Sequence, residues 1–410
     1  MNTFDEEDFS IIALDNFIQA TRDSGYKDTS SAVAELVDNS LQAGATEISV
    51  LFTAEDRLKY PIGLKVIDNG CGMDSWTLRT SLRFGGSTRF NDREGLGRYG
   101  MGLPNSSLSQ AQRVTVHTWS SNQGNVLCSY LDLDEIASGA LTEVPQPNRV
   151  PRPSFVNGHN SGTAVTWTRC DRLDNRRIST ISRKLLWTLG RKFRHFLWDG
   201  VSIFVNGDTV EPIDPLFLHP RAMFSGAEQF AEEMIYEVSA NPDDPSVTGF
   251  VRVRFSELPV SHWAKFSNSE KRARGISKGA GVSIVRGGRE VDYGWFFLGG
   301  KRRENYDDWW RCEVQFDPVL DEAFGITHTK QQIRPRPHLV DALSSDIEAT
   351  ARALNTRVRK AHVSTKIAER FSTSEDRASE KDDMLTPLPP SLRPRDSRVL
   401  GAIEKKLPPL

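Results

Sequence analysis

The sequence predicts a mixed α+β protein: a strand-rich sandwich over about the first 215 residues, a second α/β segment, and a C-terminal helix. Three observations predict it. The segments "TEISVLF", "PIGLKVIDNG", "RVTVHTW", "NVLCSYLDL" and "GTAVTWTR" are apolar, rich in β-branched residues and bounded by turn residues, as strands are. Between and after them, "SSAVAELVDNSLQ" and the basic "RRISTISRKLLWTLGRKFRHFLW" read as helices. Two dipeptides, Asn206-Gly207 and Gly287-Gly288, are of the kind that turn a two-residue hairpin, one in each strand-rich region.

In chain order, a first helix is expected over 9–20, then the helix of "SSAVAELVDNSLQ", then the five strands, the basic helix and the hairpin of "VSIFVNGDTVEPIDP". The second segment supplies "SVTGFVRVRFSELP", "GVSIVRGGREVDYG" and "WWRCEVQFDP" as strands. From Leu339 onward, Leu343, Ile347, Leu354 and Val358 recur at helical spacing, so a helix is expected over 339–371. The remainder, 372–410, is charged and contains "TPLPPSLRPRD". Its composition buries too little to offset ordering entropy, so it reads as a flexible tail.

A chain of 410 residues has room for two domains. Charged residues at 26% and hydrophobic ones at 38% are the balance of a soluble protein, and a net charge of −2 argues against a chain that is polyanion-binding throughout while leaving room for a local basic face. Cys71, Cys128, Cys170 and Cys312 are far apart, with no CxxC, which fits reduced thiols rather than a zinc site or a disulfide framework. The N-terminal "MNTFDEEDFS" is acidic where a signal peptide is basic, and no apolar run reaches membrane-span length. The expectation is a cytoplasmic protein without membrane contact.

Four short stretches carry the chemistry. In "AELVDNSLQAG", Val33, Leu36, Val37 and Leu41 form one stripe while Glu35, Asp38, Asn39 and Gln42 form another about 200° away. The plain expectation for the second stripe is a solvated polar face; it gains meaning only if a ligand lies against it. In "VIDNGCGMD", a strand delivers Asp68 into a turn where Gly70 and Gly72 permit close approach, and a carboxylate walled by apolar residues suits an exocyclic amine such as that of adenine. In "GLGRYGMGLPNSS", Gly95, Gly97, Gly100 and Gly102 leave backbone N–H groups unshielded ahead of a helix expected from about Pro104, an anion cradle without the Lys-Ser/Thr of a Walker A loop. In "SGTAVTW", Gly162-Thr163 opens a strand, with Thr163 placed to hydrogen-bond toward a base or toward Asp68.

Taken in order, these four stretches resemble the boxes of the GHKL superfamily: gyrase B, the ninety-kilodalton heat-shock chaperones, histidine kinases and MutL. The resemblance implies a Bergerat-type ATP-binding sandwich over 1–215. It implies that Asn39 ligates Mg²⁺, that Glu35 is the general base for the attacking water, and that Asp68 binds the adenine amine with Thr163 in support. Further ATP contacts are implied for Gly70, Gly72 and Met73, and for the lid residues Gly95, Gly97, Arg98, Tyr99, Gly100, Met101 and Gly102. The stretch "FDPVLDEAFGITHTKQQIRP" resembles the end of the transducer domain of gyrase B, MutL and type IIB topoisomerases, and looks especially like MORC-type ATPases. By that likeness 216–338 is a transducer, and Lys330 reaches the γ-phosphate as a second catalytic residue. Gln42 departs from the pattern, standing where MutL-like and chaperone relatives often carry an acid.

What the resemblance implies about function is a Mg²⁺-dependent ATPase with slow turnover that dimerises when ATP closes the lid. DNA-handling relatives suggest action on DNA, or with a DNA-processing partner, in DNA maintenance or in defence against foreign DNA. Residues 169–194 hold nine Lys/Arg against two Asp, and 271–278 contain "KRARGISK", which makes these the candidate phosphate-contacting segments. No nuclease or tyrosine-cleavage segment follows the transducer-like region, so either a separate effector subunit acts or the clamp is the effector. The alternative is a non-hydrolysing, nucleotide-dependent scaffold or chaperone-like binder. A histidine kinase fits poorly, because no dimerisation helix with a phosphoacceptor histidine precedes the first box.

Overall fold

The computed structural model describes residues 14–26, 28–55, 59–86, 101–120, 126–156, 158–277, 279–326 and 332–383. Residues 9–13 of the expected first helix, lid residues Gly95, Gly97, Arg98, Tyr99 and Gly100, Lys278, Lys330 and the tail beyond 383 lie outside them. The chain divides into two units, residues 1–356 and 357–410.

Among its described residues the first unit contains two sheets. The larger has eight strands: β1 (Glu47–Ala54), β2 (Ile62–Asp68), β3 (Arg113–Trp119), β4 (Val126–Asp132), β5 (Asn148–Val150), β6 (Gly162–Thr168), β7 (Ser202–Val205) and β8 (Asp208–Thr209), in the order β5-β4-β3-β6-β2-β1-β7-β8. All neighbours are antiparallel except β1 and β7. Among the described residues seven α-helices accompany it: α1 (Leu14–Asp23), α2 (Thr29–Gln42), α3 (Ser75–Leu82), α4 (Gly102–Leu108), α5 (Leu133–Ala137), α6 (Ile178–Lys192) and α7 (Arg194–Trp198). Val33, Leu36 and Val37 from α2, Leu185 and Leu189 from α6, and Val66, Val114 and Trp167 from the strands share one core.

The α2 helix begins where Asp28 accepts a hydrogen bond from the Ser31 N–H at 2.7 Å. It ends as the chain passes Ala43 into Gly44, whose φ of +72° an L side chain rarely adopts. The expectation of a solvated polar stripe fails here. Glu35 is 3% exposed and Asp38 0%, so this helix is enclosed on both stripes. Buried carboxylates need partners, and these come from elsewhere in the fold. The expected single basic helix is also two helices, α6 and α7, meeting at the buried Phe193.

The smaller sheet contains β9 (Glu228–Asn241), β10 (Asp244–Glu257), β11 (Val282–Arg286), β12 (Arg289–Gly294) and β13 (Trp310–Phe316), in the order β12-β11-β13-β10-β9. Gly287 and Gly288, at φ +52° and +82°, turn β11 into β12, and Asn206 and Gly207, at +51° and +88°, turn β7 into β8. The short helices α8 (Val260–Trp263) and α9 (Asn268–Ala273) sit between β10 and β11, and α10 (Asp321–Phe324) follows β13. The last helix, α11 (Pro337–Asp383), runs beyond the expected end at 371, so residues 372–383 are helical rather than tail. Its Leu339, Leu343, Ile347, Ala351 and Leu354 are fully buried in a second core with Val251, Val253, Trp310 and Val314. Each large side chain so enclosed contributes about 1.5–3 kcal/mol.

A buried ionic cluster ties α6 and α7 to the smaller sheet. Arg194, 0% exposed, donates to Glu313 Oε2 at 2.5 Å, Glu290 Oε2 at 3.2 Å and Ser283 Oγ at 3.0 Å, while Arg191 Nε donates to Glu290 Oε1 at 2.8 Å. Burial alone pushes the Glu313 carboxyl up, but the Arg194 and Arg254 guanidiniums more than reverse this and bring it from 4.5 to about 2. A carboxyl depressed on folding stabilises the fold above its unfolded pKa and loses that contribution as pH falls toward its folded one. The stability gap between wild type and Glu313→Gln, about 3–5 kcal/mol near neutral pH, is therefore expected to narrow between about pH 4.5 and 2. Urea unfolding at several pH values checks this; a gap independent of pH contradicts it.

Candidate nucleotide site

The strand β2 ends at Asp68, 6% exposed, and three elements converge on its carboxylate. Oδ1 accepts from the Gly70 N–H at 2.9 Å and the Thr163 N–H at 3.2 Å; Oδ2 accepts from the Ser40 hydroxyl at 2.9 Å. Burial pushes this carboxyl up, and these three hydrogen bonds pull against it. An ionised carboxylate has about four lone-pair positions. Among the described residues three are filled, and the open one is on Oδ2.

Thr163 thus acts on Asp68 through its main chain, fixed by the β2–β6 pairing of Asp68 with Thr163. Its hydroxyl lies 3.4 Å from that of Thr118, and Thr118 Oγ1 accepts from the Met73 N–H at 2.8 Å. The glycines permit this crowding. A Cβ on Gly70 would meet Ala43 Cβ at 2.7 Å, and one on Gly72 (φ +71°) would meet the Trp119 carbonyl oxygen at 2.1 Å. The α2 helix, the turn after β2 and the start of β6 can close around Asp68 only without side chains at those points.

Two further candidate residues lie on the same helix as Ser40. Glu35 sits one turn before Asn39, and Ser40, which binds Asp68, follows Asn39 directly. A Cβ on Gly102 would fall 2.2 Å from Glu35 Oε1, so the first residue of α4 lies against the carboxylate. The Tyr26 hydroxyl hydrogen-bonds Glu35, and burial first, then the Glu35 charge, push that phenol well above its ordinary range. Asn39 is half-buried. Among the described residues no group of three or more His, Cys, Asp or Glu side chains gathers to hold a metal. Mg²⁺ needs no such cage when one carboxamide oxygen is completed by phosphates and water, so Asn39 fits that ion.

The structure therefore brings together Glu35, Asn39, Asp68, Gly70, Gly72, Met73, Gly102 and Thr163 around α2, the end of β2, the start of α4 and the start of β6. Met101 immediately precedes α4 and also lines a separate, largely apolar cavity of about 720 Å³ with Phe17, Trp76, Phe84 and Leu141. No other candidate residue borders that cavity among the described residues. Sequence reasoning missed Ser40, Thr118, Tyr26 and Arg289. Ser40 was within reach, since it shares a helix turn with Asn39. Arg289, whose Nε donates to Asp38 Oδ1 at 2.8 Å, is 251 positions away and left no local signal.

More than half of the cations in the first candidate basic segment are paired inside the chain. Arg169 pairs with Asp132 and Asp134, Arg172 with Asp23, Lys184 with Asp28 and Asp174, and Arg191 and Arg194 with Glu290. Arg176, Arg177 and Arg183 remain exposed. In the second segment Lys271 donates to the Ala264 carbonyl, and Arg274 lies over the rings of Phe266 and Phe224.

Comparison with known proteins covers the same stretch of the chain. The family described as histidine kinase-, DNA gyrase B-, and HSP90-like ATPase matches residues 26–163, a span running from Tyr26 to Thr163. Residues 26–163 are a GHKL-family domain. The human MORC family CW-type zinc finger protein 1 is 29% identical over 126 residues, 30% of this chain and 12% of the relative. Mouse ATPase MORC2B is 34% identical over 117 residues, 28% of this chain and 11% of the relative. The DNA mismatch repair protein MutL of Shewanella sediminis is 25% identical over 240 residues, 56% of this chain and 36% of the relative. The chain thus spans well under half the length of each relative. The mixed fold, with its two largely antiparallel sheets, is that expected of a GHKL domain followed by a transducer-like one. Among the described residues no helix is long and apolar enough to cross a membrane.

Proposed function

We propose that this chain is a Mg²⁺-dependent ATPase in which the GHKL domain binds the nucleotide and the second sheet responds to it. The observation that carries the reading is the Asp68 carboxylate, held on three sides by the chain with one acceptor position left on Oδ2. That position accepts a hydrogen bond from the adenine amine and leaves no donor for a base bearing a carbonyl there.

From this anchor the triphosphate runs toward α2 and α4. Asn39 offers its side-chain oxygen to Mg²⁺, which when bound neutralises phosphate charge. The backbone of Gly95, Gly97, Arg98, Tyr99, Gly100, Met101 and Gly102 donates N–H groups to the phosphates. Glu35, oriented by Tyr26, accepts the proton of the attacking water, and Lys330 meets the γ-phosphate. Phosphoryl transfer needs mainly positioning and charge neutralisation, and these groups supply both. The domain division is proposed as 1–215 for ATP binding and 216–338 for the transducer, supported by the separate cores of the two sheets.

ATP closes the lid and pairs two copies of the chain, and the resulting clamp acts on DNA or with a DNA-processing partner, as the names of MutL relatives suggest. Phosphate contact falls to exposed cations such as Arg176, Arg177 and Arg183. Size analysis without nucleotide, with ADP and with a non-hydrolysable ATP analogue tests the clamp. A dimer specific to the ATP analogue is expected; a monomer in all three conditions overturns it.

A further inference from the structure

The pair formed by Arg289 and Asp38 connects the second sheet to the helix that carries Glu35 and Asn39. Arg289 opens β12 directly after the Gly287-Gly288 turn. Its side chain is 2% exposed and that of Asp38 0%, and Arg289 Nε donates to Asp38 Oδ1 at 2.8 Å. Asp38 adjoins Asn39 and lies one turn after Glu35, so the guanidinium grips α2 between the two phosphate-side residues. The next residue along β12, Glu290, is held in turn by Arg191 from α6 and Arg194 from α7. The strand cannot shift without breaking these contacts, and Arg289 shifts with it.

We propose that Arg289 is a positioning residue for ATP turnover: through Asp38 it sets the placement of the α2 turn bearing Glu35 and Asn39, making the chemistry depend on how the second sheet is seated. This rests on the ATPase reading above. The physical reason is directional. A buried ion pair contributes little net stability over an apolar pair of similar volume, because desolvating two charges is costly. A hydrogen bond between a guanidinium and a carboxylate nevertheless fixes distance and angle in a way that an apolar contact does not. Displacing a general base by about 1 Å costs about 100-fold in rate. Arg289 touches neither nucleotide nor water in this account; it acts through Asp38.

The test compares wild type, Arg289→Gln, and the double variant Asp38→Asn/Arg289→Gln. Melting temperature, kcat, KM and calorimetric affinity for a non-hydrolysable ATP analogue are measured on each. The single variant removes the Arg289 charge from beside the buried Asp38 and is expected to melt well below wild type. The double variant, with no charge at either position, is expected to recover melting temperature and to bind the analogue within about threefold of wild type. Its kcat is expected to stay at least about tenfold low. Should the double variant not fold, Arg289→Lys, which keeps a charge for Asp38 without the guanidinium's reach and direction, is expected to show the same split between binding and turnover. Wild-type kcat in a folded double variant, or in Arg289→Lys where that substitutes for it, overturns this inference alone. A wild type that binds no nucleotide removes the ATPase reading and this inference with it.

Discussion

Glu35→Gln is expected to bind ATP with close to wild-type affinity and to turn it over about 10²–10⁴-fold more slowly, the range for loss of a positioned general base. The substitution keeps the shape of the side chain, so the close approach of Gly102 to Oε1 survives. What it removes is the proton acceptor. Glu35 is 3% exposed and hydrogen-bonded by the Tyr26 hydroxyl, so its carboxylate is held in one orientation rather than sweeping solvent. Phosphate release at saturating Mg·ATP, together with analogue binding, measures the two effects separately. Equal turnover by variant and wild type contradicts the assignment and favours a nucleotide-dependent scaffold.

Asp68→Asn is expected to weaken ATP binding about 10–150-fold, equivalent to about 1.5–3 kcal/mol for a hydrogen bond to a charged group. The reason lies in the arrangement of its partners. Gly70 and Thr163 donate N–H groups to Oδ1, and the Ser40 hydroxyl donates to Oδ2. If the carboxamide oxygen of the variant takes the Oδ1 position, its NH₂ group faces Ser40 and the adenine amine, donor against donor. Inosine triphosphate, with a carbonyl in place of the amine, serves as the control. Wild type is expected to prefer ATP strongly, since a site built to accept a hydrogen bond rejects the analogue that cannot donate it. Asp68→Asn is expected to lose most of that preference. A variant that retains wild-type affinity and selectivity places the base elsewhere.

Much of the fold is legible in local sequence because local physics decides it. Asn206-Gly207 and Gly287-Gly288 turn hairpins because both residues of each pair take positive φ. The edge strand β9 is not legible: Glu228, Glu232 and Glu233 crowd its first half and Ile235 is exposed, which breaks the apolar alternation that marks a strand. Nor is the end of α11, where the apolar stripe fades but helix-compatible residues continue to Asp383.

The candidate site follows the same division. The order of the four boxes is visible along the chain, and so is the pairing of Glu35 with Asn39 one turn apart. The enclosure of α2 is not, because it depends on Arg289 and Tyr26, whose positions in the sequence say nothing of what they face. Amphipathic periodicity reports polarity, and a buried carboxylate with a distant cation has the same polarity as a solvated one.

The central claim is that Glu35, Asn39 and Asp68 bound a single Mg·ATP site, and the most direct test is calorimetric titration of Mg·ATP into the wild-type chain. The account predicts saturable heat with one nucleotide per chain, sharply reduced when Mg²⁺ is chelated. An absence of saturable heat at millimolar nucleotide contradicts it.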